Sequence, residues 1–156
     1  MRELIASFSC LDSGRLVERL VRSAAAVAGT SYAGLVQVDP LREEAHTQHM
    51  HGPPGDPLRV RRWLRQSGVL KELAGAPAPV LLPRDAEVGE PGFMATTVPL
   101  ATRDHAFLWA AGRSFSDADE HLLSRLATAA GRALEAASGL EAAVRMLRGV
   151  HDFSGV

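Results

Sequence analysis

The stretch Phe115-Ser-Asp-Ala-Asp-Glu-His-Leu-Leu-Ser-Arg-Leu-Ala-Thr-Ala-Ala-Gly-Arg-Ala-Leu-Glu135 decides the fold. Ser116 and Asp119 stand in the spacing of a capping box, where each side chain can satisfy the other's backbone N–H. Asp117, Asp119 and Glu120 also suit the positive end of a helix dipole. From there Leu122, Leu123, Leu126, Ala129, Ala130, Ala133 and Leu134 recur at helical intervals and form one apolar stripe. The pattern continues through Leu140, Ala143, Val144 and Leu147, weakened only at Gly131 and Gly139. It predicts a final helix of about thirty residues, roughly 45 Å at 1.5 Å per residue, long enough to overhang a small domain.

Upstream of this helix, Phe93 to Ala111 has the pattern of a hairpin, with strands at Ala95–Leu100 and His105–Ala111 about a turn at Ala101–Asp104. Pro79 to Pro83 is a short strand pinned by prolines, as at a sheet edge, and Arg84 to Gly92 is expected as a polar loop. Gly52-Pro-Pro-Gly-Asp-Pro57 is a breaker cluster that opens a connection of two short helices, Leu58–Arg65 and Val69–Leu73. Before it, Tyr32–Val38 is an almost wholly apolar strand covered on both faces. A turn at Asp39–Arg42 joins it to an antiparallel partner at Glu44–His51. A first helix is expected from Asp12 or Ser13, with Leu16, Val17, Leu20, Val21, Ala24, Val27 and Ala28 inward and Gly29 at its end. The sum is an α+β domain on an antiparallel sheet, with residues 1–11 as an N-terminal extension, 12–138 as the domain and 139–156 as a helical extension or linker.

Composition narrows the functional classes. The chain has 156 residues, 46% of them apolar, which suits one domain with a real core. A formal charge of −1 gives no global attraction to nucleic acid or an anionic membrane, so a partner is recognised locally. Cys10 is the sole cysteine, which excludes an intrachain disulfide and a thiolate zinc cluster and suits a reducing cytoplasm. The first ten residues lack the uninterrupted apolar run of a signal peptide, and no run reaches the roughly 18 apolar residues of a membrane span. Cytoplasmic localisation is therefore expected.

Several phrases in this order resemble the GAF family of bacterial sensor domains, notably those of actinobacterial sensor kinases and regulators. They are Val27-Ala-Gly-Thr-Ser-Tyr-Ala-Gly-Leu35, His51-Gly52, Gly68-Val-Leu-Lys-Glu-Leu73 with Pro79-Val-Leu-Leu82, Phe93 through Val98-Pro99-Leu100, and the final helix from Phe115 to Glu135. The resemblance implies a PAS-related antiparallel sheet, terminal helices on one face, and crossover helices on the other over a ligand pocket, with the loop after Leu82 beside it. It also implies a regulatory role rather than catalysis. The stretch from Leu100 to Phe115 is short and has Ala106 where such domains often carry glycine, which points to a reduced pocket rim.

The departures from the family each remove a known mode. Lys71 is the only lysine, so the Asn-Lys…Phe…Asp-Glu signature of cyclic-nucleotide-binding members is absent. Cys10 lacks the neighbouring histidine of bilin-binding members, and one cysteine does not make a methionine sulfoxide reductase. The segment Val88–Met94 has no histidine for a haem axial ligand. No cofactor is predicted.

Several side chains suit either chemistry or a plainer role. His46, His49 and His51 lie on the second strand. Strict alternation places His49 and His51 on one face, about 7 Å apart, where they could share a metal ion. No further ligands lie nearby, and the plainer assignment is rim or solvent-facing histidines, with no metal site. Ser114 or Ser116 with His121 and Asp117 can be assembled into a triad only at the expense of helix capping. Arg59, Arg61, Arg62 and Arg65 suit the wet side of a helix better than a nucleic-acid patch, though they could meet an anionic ligand. The expected pocket lining is His49, Trp63, Leu82, Phe93, Met94, Phe107 and Trp109, of which Trp63, Phe93, Met94, Phe107 and Trp109 also suit ordinary core packing.

Two functions follow as expectations. One is a sensor that binds a small apolar or aromatic ligand and signals through terminal helices paired in a homodimer across Leu122, Leu126, Ala133, Leu140, Val144 and Leu147. Its output partner would be a kinase or transcription-regulator domain in cis or trans, with no nucleic acid or membrane contact. The other is a ligand-free dimerisation or protein-interaction module of the same fold. An enzyme ranks third, because the sequence places no nucleophile beside a base.

Overall fold

The computed structural model describes residues 2–39, 44–75, 78–100 and 105–154. Along the chain the elements are α1 (Arg2–Ala28), β1 (Tyr32–Asp39), β2 (Glu44–His51), α2 (Val60–Gln66), α3 (Val69–Gly75), β3 (Val80–Asp85), β4 (Glu90–Val98), β5 (His105–Ala111) and α4 (Asp117–Ser154). The strands form one antiparallel sheet in the order β2-β1-β5-β4-β3. This is the α+β architecture expected from the sequence. The turns expected at Asp39–Arg42 and Ala101–Asp104 fall on 40–43 and 101–104, outside the described residues.

Alternation along the central strands divides the core in two. Leu35, Met94, Leu108 and Ala110 meet Val21, Ala24 and Ala28 of α1 and Leu123, Ala127 and Ala130 of α4. On the other face Val36, Val38, Phe93, Phe107 and Trp109 meet Val60, Leu64, Val69 and Leu73 of α2 and α3. Small side chains at Ala106 and Ala110 belong to the terminal-helix side, and the bulky Phe107 and Trp109 to the crossover side. The sheet is thus buried twice, which is why its middle strands read as apolar runs.

The helical start expected at Asp12 is corrected: α1 begins at Arg2. Leu4, Ile5, Phe8 and Leu11 already hold helical spacing, so the cap-competent Asp12 and Ser13 lie inside a continuing helix. α4 spans 38 residues, longer than expected. Its start is the capping box: Ser116 N–H donates to Asp119 Oδ2 at 2.8 Å, and Asp119 N–H donates to Ser116 Oγ at 3.3 Å.

The loop expected over Arg84–Gly92 is also corrected. Those residues complete a tight hairpin in which Arg84 pairs with Pro91 and Asp85 with Glu90. Gly92 is needed there because its φ is +82° and a Cβ would strike the backbone carbonyl of Arg113. Pro91 and Gly92 lie instead in a strand closely approached by the chain at Arg113.

Arg113 joins the sheet to both terminal helices. Its guanidinium donates to the Ala28 carbonyl at the end of α1 at 2.6 Å, lies 3.8 Å from Asp119 of α4, and covers the Phe115 ring at 5.3 Å. A hydrogen bond from Thr30 Oγ1 to the Ala111 carbonyl closes the same corner.

On the crossover face, Gly34 of β1 pairs with Trp109 of β5, and the indole lies directly over its bare backbone. A Cβ at residue 34 would fall well inside van der Waals contact of the ring. Gly34→Ala is expected to destabilise the domain by about 1–3 kcal/mol, as overpacking does. Urea unfolding of the single and double variants checks this: in a Trp109→Leu background the same change should cost far less, because the obstructing ring is gone.

Candidate functional site

The aromatic side chains expected to line a pocket form a solid layer. Phe93, Phe107 and Trp109 are fully buried, with Phe93 5.8 Å from Trp109 and 5.2 Å from the half-buried Trp63 between ring centroids. Leu82, paired with Phe93, packs against the same layer. Trp63 donates its Nε1–H to Glu90 Oε2 at 2.9 Å, which pins α2 above the start of β4.

Two members of the expected lining lie elsewhere. Met94 follows Phe93 on β4, so alternation turns it into the core beneath α1 and α4. His49 pairs with Leu35 and His51 with Ala33, and both partners belong to that same terminal-helix core. Directly paired residues share a face, so neither histidine is on the crossover side. The register also shifts between Leu35 and Val36, which leaves Gln48 without an opposite and breaks the alternation assumed between His46 and His49. The side chain of His46 lies outside the described residues. Among the described residues no group of three or more His, Cys, Asp or Glu is placed to hold a metal.

Both serines of the conceivable triad have structural partners. Ser114 Oγ accepts the Arg84 N–H at 2.9 Å, and Ser116 caps α4. Arg59, Arg61, Arg62 and Arg65 are all exposed. Of the expected dimer positions, Leu122 is 47% exposed and Leu147 70%, with Met146 beside it at 74%. Leu126 packs against the domain core and Ala133 is half-buried. The side chains of Leu140 and Val144 lie outside the described residues.

A cleft of about 280 Å³ opens beside the aromatic layer, lined by Tyr32, Met50, Gly52, Pro53, Pro54, Gly55, Asp56 and Arg61. The breaker cluster makes it: prolines deny the backbone N–H groups that would extend β2, so the chain leaves the sheet and turns back into α2. Asp56 and Arg59 both take left-handed φ, 47° and 54°, at this corner. No side chain at Arg59 caps α2. Asp56 does so from further back, accepting Val60 N–H at 2.8 Å and Arg61 N–H at 2.9 Å.

Tyr32 forms the inner wall. Its hydroxyl oxygen accepts the Leu58 N–H at 3.2 Å, and its proton goes to Asp56. Burial would raise the Asp56 carboxyl. The N–H groups of Arg61 and Val60, the Tyr32 hydroxyl and the Arg61 charge outweigh it and hold the group below the usual range. Burial raises the Tyr32 phenol, the Leu58 N–H opposes this, and the Asp56 carboxylate adds to it. Tyr32, Met50 and Asp56 were not expected in a site, whereas Arg61 was among the arginines that could meet an anionic ligand. The signal available was a lone aspartate inside a Gly-Pro cluster and the chain's only tyrosine at the head of a buried strand.

Against this ordered corner stands one unsatisfied group. Among the described residues, Trp109 Nε1 is the buried side-chain polar atom with no hydrogen-bond partner. Such an orphan costs about 1–3 kcal/mol.

Because Asp56 is held below its ordinary value, the native state binds fewer protons than the unfolded chain around pH 4. Its contribution to stability is present above about pH 4 and is lost as pH falls through the depressed value. Chemical denaturation from pH 6 to pH 3 is expected to show a shallower loss of stability for Asp56→Asn than for the parent. At neutral pH the variant should already be weaker by about 1 kcal/mol, because an amide keeps one acceptor oxygen where the carboxylate uses two, for Val60 N–H and Arg61 N–H.

Scanned against known protein families, the chain matches none, and no curated protein matches it in sequence. Solved structures do match. The GAF domain/HD domain protein from Geobacter sulfurreducens is 16% identical, with 86% of this chain and 97% of that one covered and a TM-score of 0.61. GAF3 of Slr1393 from Synechocystis, solved in its photoproduct state, is 13% identical over 82% and 96%, with a TM-score of 0.62. The GAF-B domain of DevS from Mycobacterium smegmatis is 18% identical over 81% and 96%, with a TM-score of 0.59. The chain has the GAF fold.

Proposed function

We propose that this GAF-fold chain is a regulatory sensor-type module: a small molecule at the Tyr32–Met50 cleft biases the terminal helices, which pair with a second copy and act on an output domain. The observation that carries this reading is adjacency. Tyr32 walls the cleft, and two residues away Thr30 ties β1 to Ala111, where Arg113 holds the end of α1 and the start of α4. A shift of Tyr32 reaches both helices through contiguous contacts. The output partner, a kinase or transcription-regulator domain in cis or trans, follows from resemblance alone. No catalytic role is assigned to any residue.

The length of α4 supports pairing. Met146 and Leu147 stand exposed far from the sheet, and apolar side chains at such positions gain most from a mate. Light scattering at micromolar concentration is expected to give a dimer. Met146→Glu combined with Leu147→Glu should give a monomer whose domain still melts as before. A parent that is monomeric at high micromolar concentration removes the pairing.

A second reading is favoured by the solid aromatic layer: a ligand-free interaction module whose interior is filled by Phe93, Phe107 and Trp109. Thermal-shift screening with metabolites, haem and nucleotides separates the two. A sensor is expected to gain stability with ligand concentration as mass action requires, and the ligand-free module to show no saturable shift with any of them.

A further inference from the structure

We infer that the Tyr32–Met50 cleft is the mouth of a site for a small, neutral, mostly apolar molecule carrying one hydrogen-bond acceptor, a carbonyl above all. On binding it displaces the Met50 side chain and accepts the N–H of Trp109. The inference rests on the sensor reading and supplies its ligand class.

Three observations converge. Gly34 pairs with Met50 on one side and with Trp109 on the other, so Met50 and the indole flank a residue that has no side chain. Met50 lines the cleft and packs against the aromatic layer, and its Cε lies 3.8 Å from the position a Cβ on Gly52 would take, beside Tyr32. The side chain next to the indole across Gly34 is thus the cleft's own wall. Methionine is unbranched and repacks readily, which makes this wall the movable one.

The second observation is the orphan. Two tryptophans stand in this layer, and Trp63 finds Glu90 for its N–H while Trp109 finds nothing. A buried donor without an acceptor favours any molecule that brings one. The third is the charge pattern. The buried side chains around the indole carry no ionisable group apart from the Tyr32 phenol. At the mouth two charged residues offset each other. The Asp56 carboxylate is already occupied by Val60 N–H, Arg61 N–H and the Tyr32 hydroxyl and is acted on by the Arg61 charge, and Arg61 itself is exposed to solvent. A carboxylate drawn onto a single indole donor in such surroundings would lose its hydration for one hydrogen bond, whereas a ketone or aldehyde loses little. A cleft of about 280 Å³ sits at the lower end of small-molecule sites, roughly 300–1,000 Å³. The ligand is therefore small.

Indole N–H resonances of the ¹⁵N-labelled full chain test this, with Trp63→Phe assigning the two signals. Acetophenone is expected to move the Trp109 signal downfield to saturation. Ethylbenzene, of similar shape without the acceptor, should bind about tenfold more weakly, the factor an ordinary net hydrogen bond supplies. Met50→Ala should tighten acetophenone binding by removing the wall. Equal binding of ethylbenzene, tighter binding of benzoate, or no saturable shift in either the parent or Met50→Ala overturns the inference. So does a long-lived water on the Trp109 N–H of the free protein, since the donor would then be satisfied. A metabolite that stabilises the chain without moving the Trp109 signal sinks this inference and leaves the sensor reading standing. Acetophenone that saturates Trp109 yet leaves the α1 and α4 resonances unmoved does the reverse.

Discussion

The contact of the Trp109 indole with the bare backbone of Gly34 sets the arrangement of the whole crossover face. Phe93 stacks on that indole, Trp63 leans on Phe93, and Trp63 anchors α2 to Glu90. A side chain at residue 34 would lift the indole and with it each member of the series. The orphaned N–H is tolerated for a quantitative reason. Burying an aromatic of this size removes about 200 Å² from water, worth about 5 kcal/mol at 25 cal/mol per Å². The lost hydrogen bond costs about 1–3 kcal/mol, so packing wins, and the donor remains as a residual demand in an otherwise closed layer.

The terminal-helix face is organised differently. There small side chains, Ala24 and Ala28 of α1, Ala127 and Ala130 of α4, and Ala106 and Ala110 of β5, let the helices settle closely on the sheet. Such a face depends on shape and has few bulky anchors, so the corner at Arg113 matters. A carbonyl at the end of α1 and the capping carboxylate of α4 are both acceptors, and one guanidinium, with several donors in a fixed fork, reaches both. The Asp119 carboxyl is held below its ordinary value, first by the Ser116 N–H, against the opposing effect of burial, then by the Ser116 hydroxyl and the Arg113 charge. It is therefore ionised at neutral pH.

Much of the fold was legible because the apolar pattern reports burial directly. The apolar runs Tyr32–Val38 and His105–Ala111 carried strands covered on both faces, the spacing of the stripe from Leu122 carried a helix, and the Ser116–Asp119 box is formed as its spacing required. What misled was chemistry with two uses. Pro91 and Gly92 look like a loop until Arg113, twenty-one residues beyond Gly92 in sequence, is seen pressing on the strand. The register shift at Leu35/Val36 depends on a partner strand, so period-two counting could not foresee it. Met94 was set among pocket residues by its neighbour Phe93, although adjacent residues on a strand face opposite ways. The cleft was least legible. It depends on Asp56 capping a helix that starts four residues later, and on Tyr32 reaching across a loop to meet it.

That cleft lies where the apolar layer has to stop. Tyr32 is the last large side chain of the layer at the head of β1, and its hydroxyl has to meet polar partners. The Gly52–Pro57 segment supplies them because its backbone cannot pair with the sheet. A polar margin beside an aromatic interior therefore follows from ending β2 with prolines, independently of any ligand. The residues from Ala28 to Tyr32 are one short run of backbone, held at one end by Arg113 and at the other by Leu58 and Asp56. A displacement of Tyr32 cannot be absorbed by slack in so short a run. It has to move the end of α1 or break one of these bonds, which makes the join between strand and helix a direct link between cleft and helix.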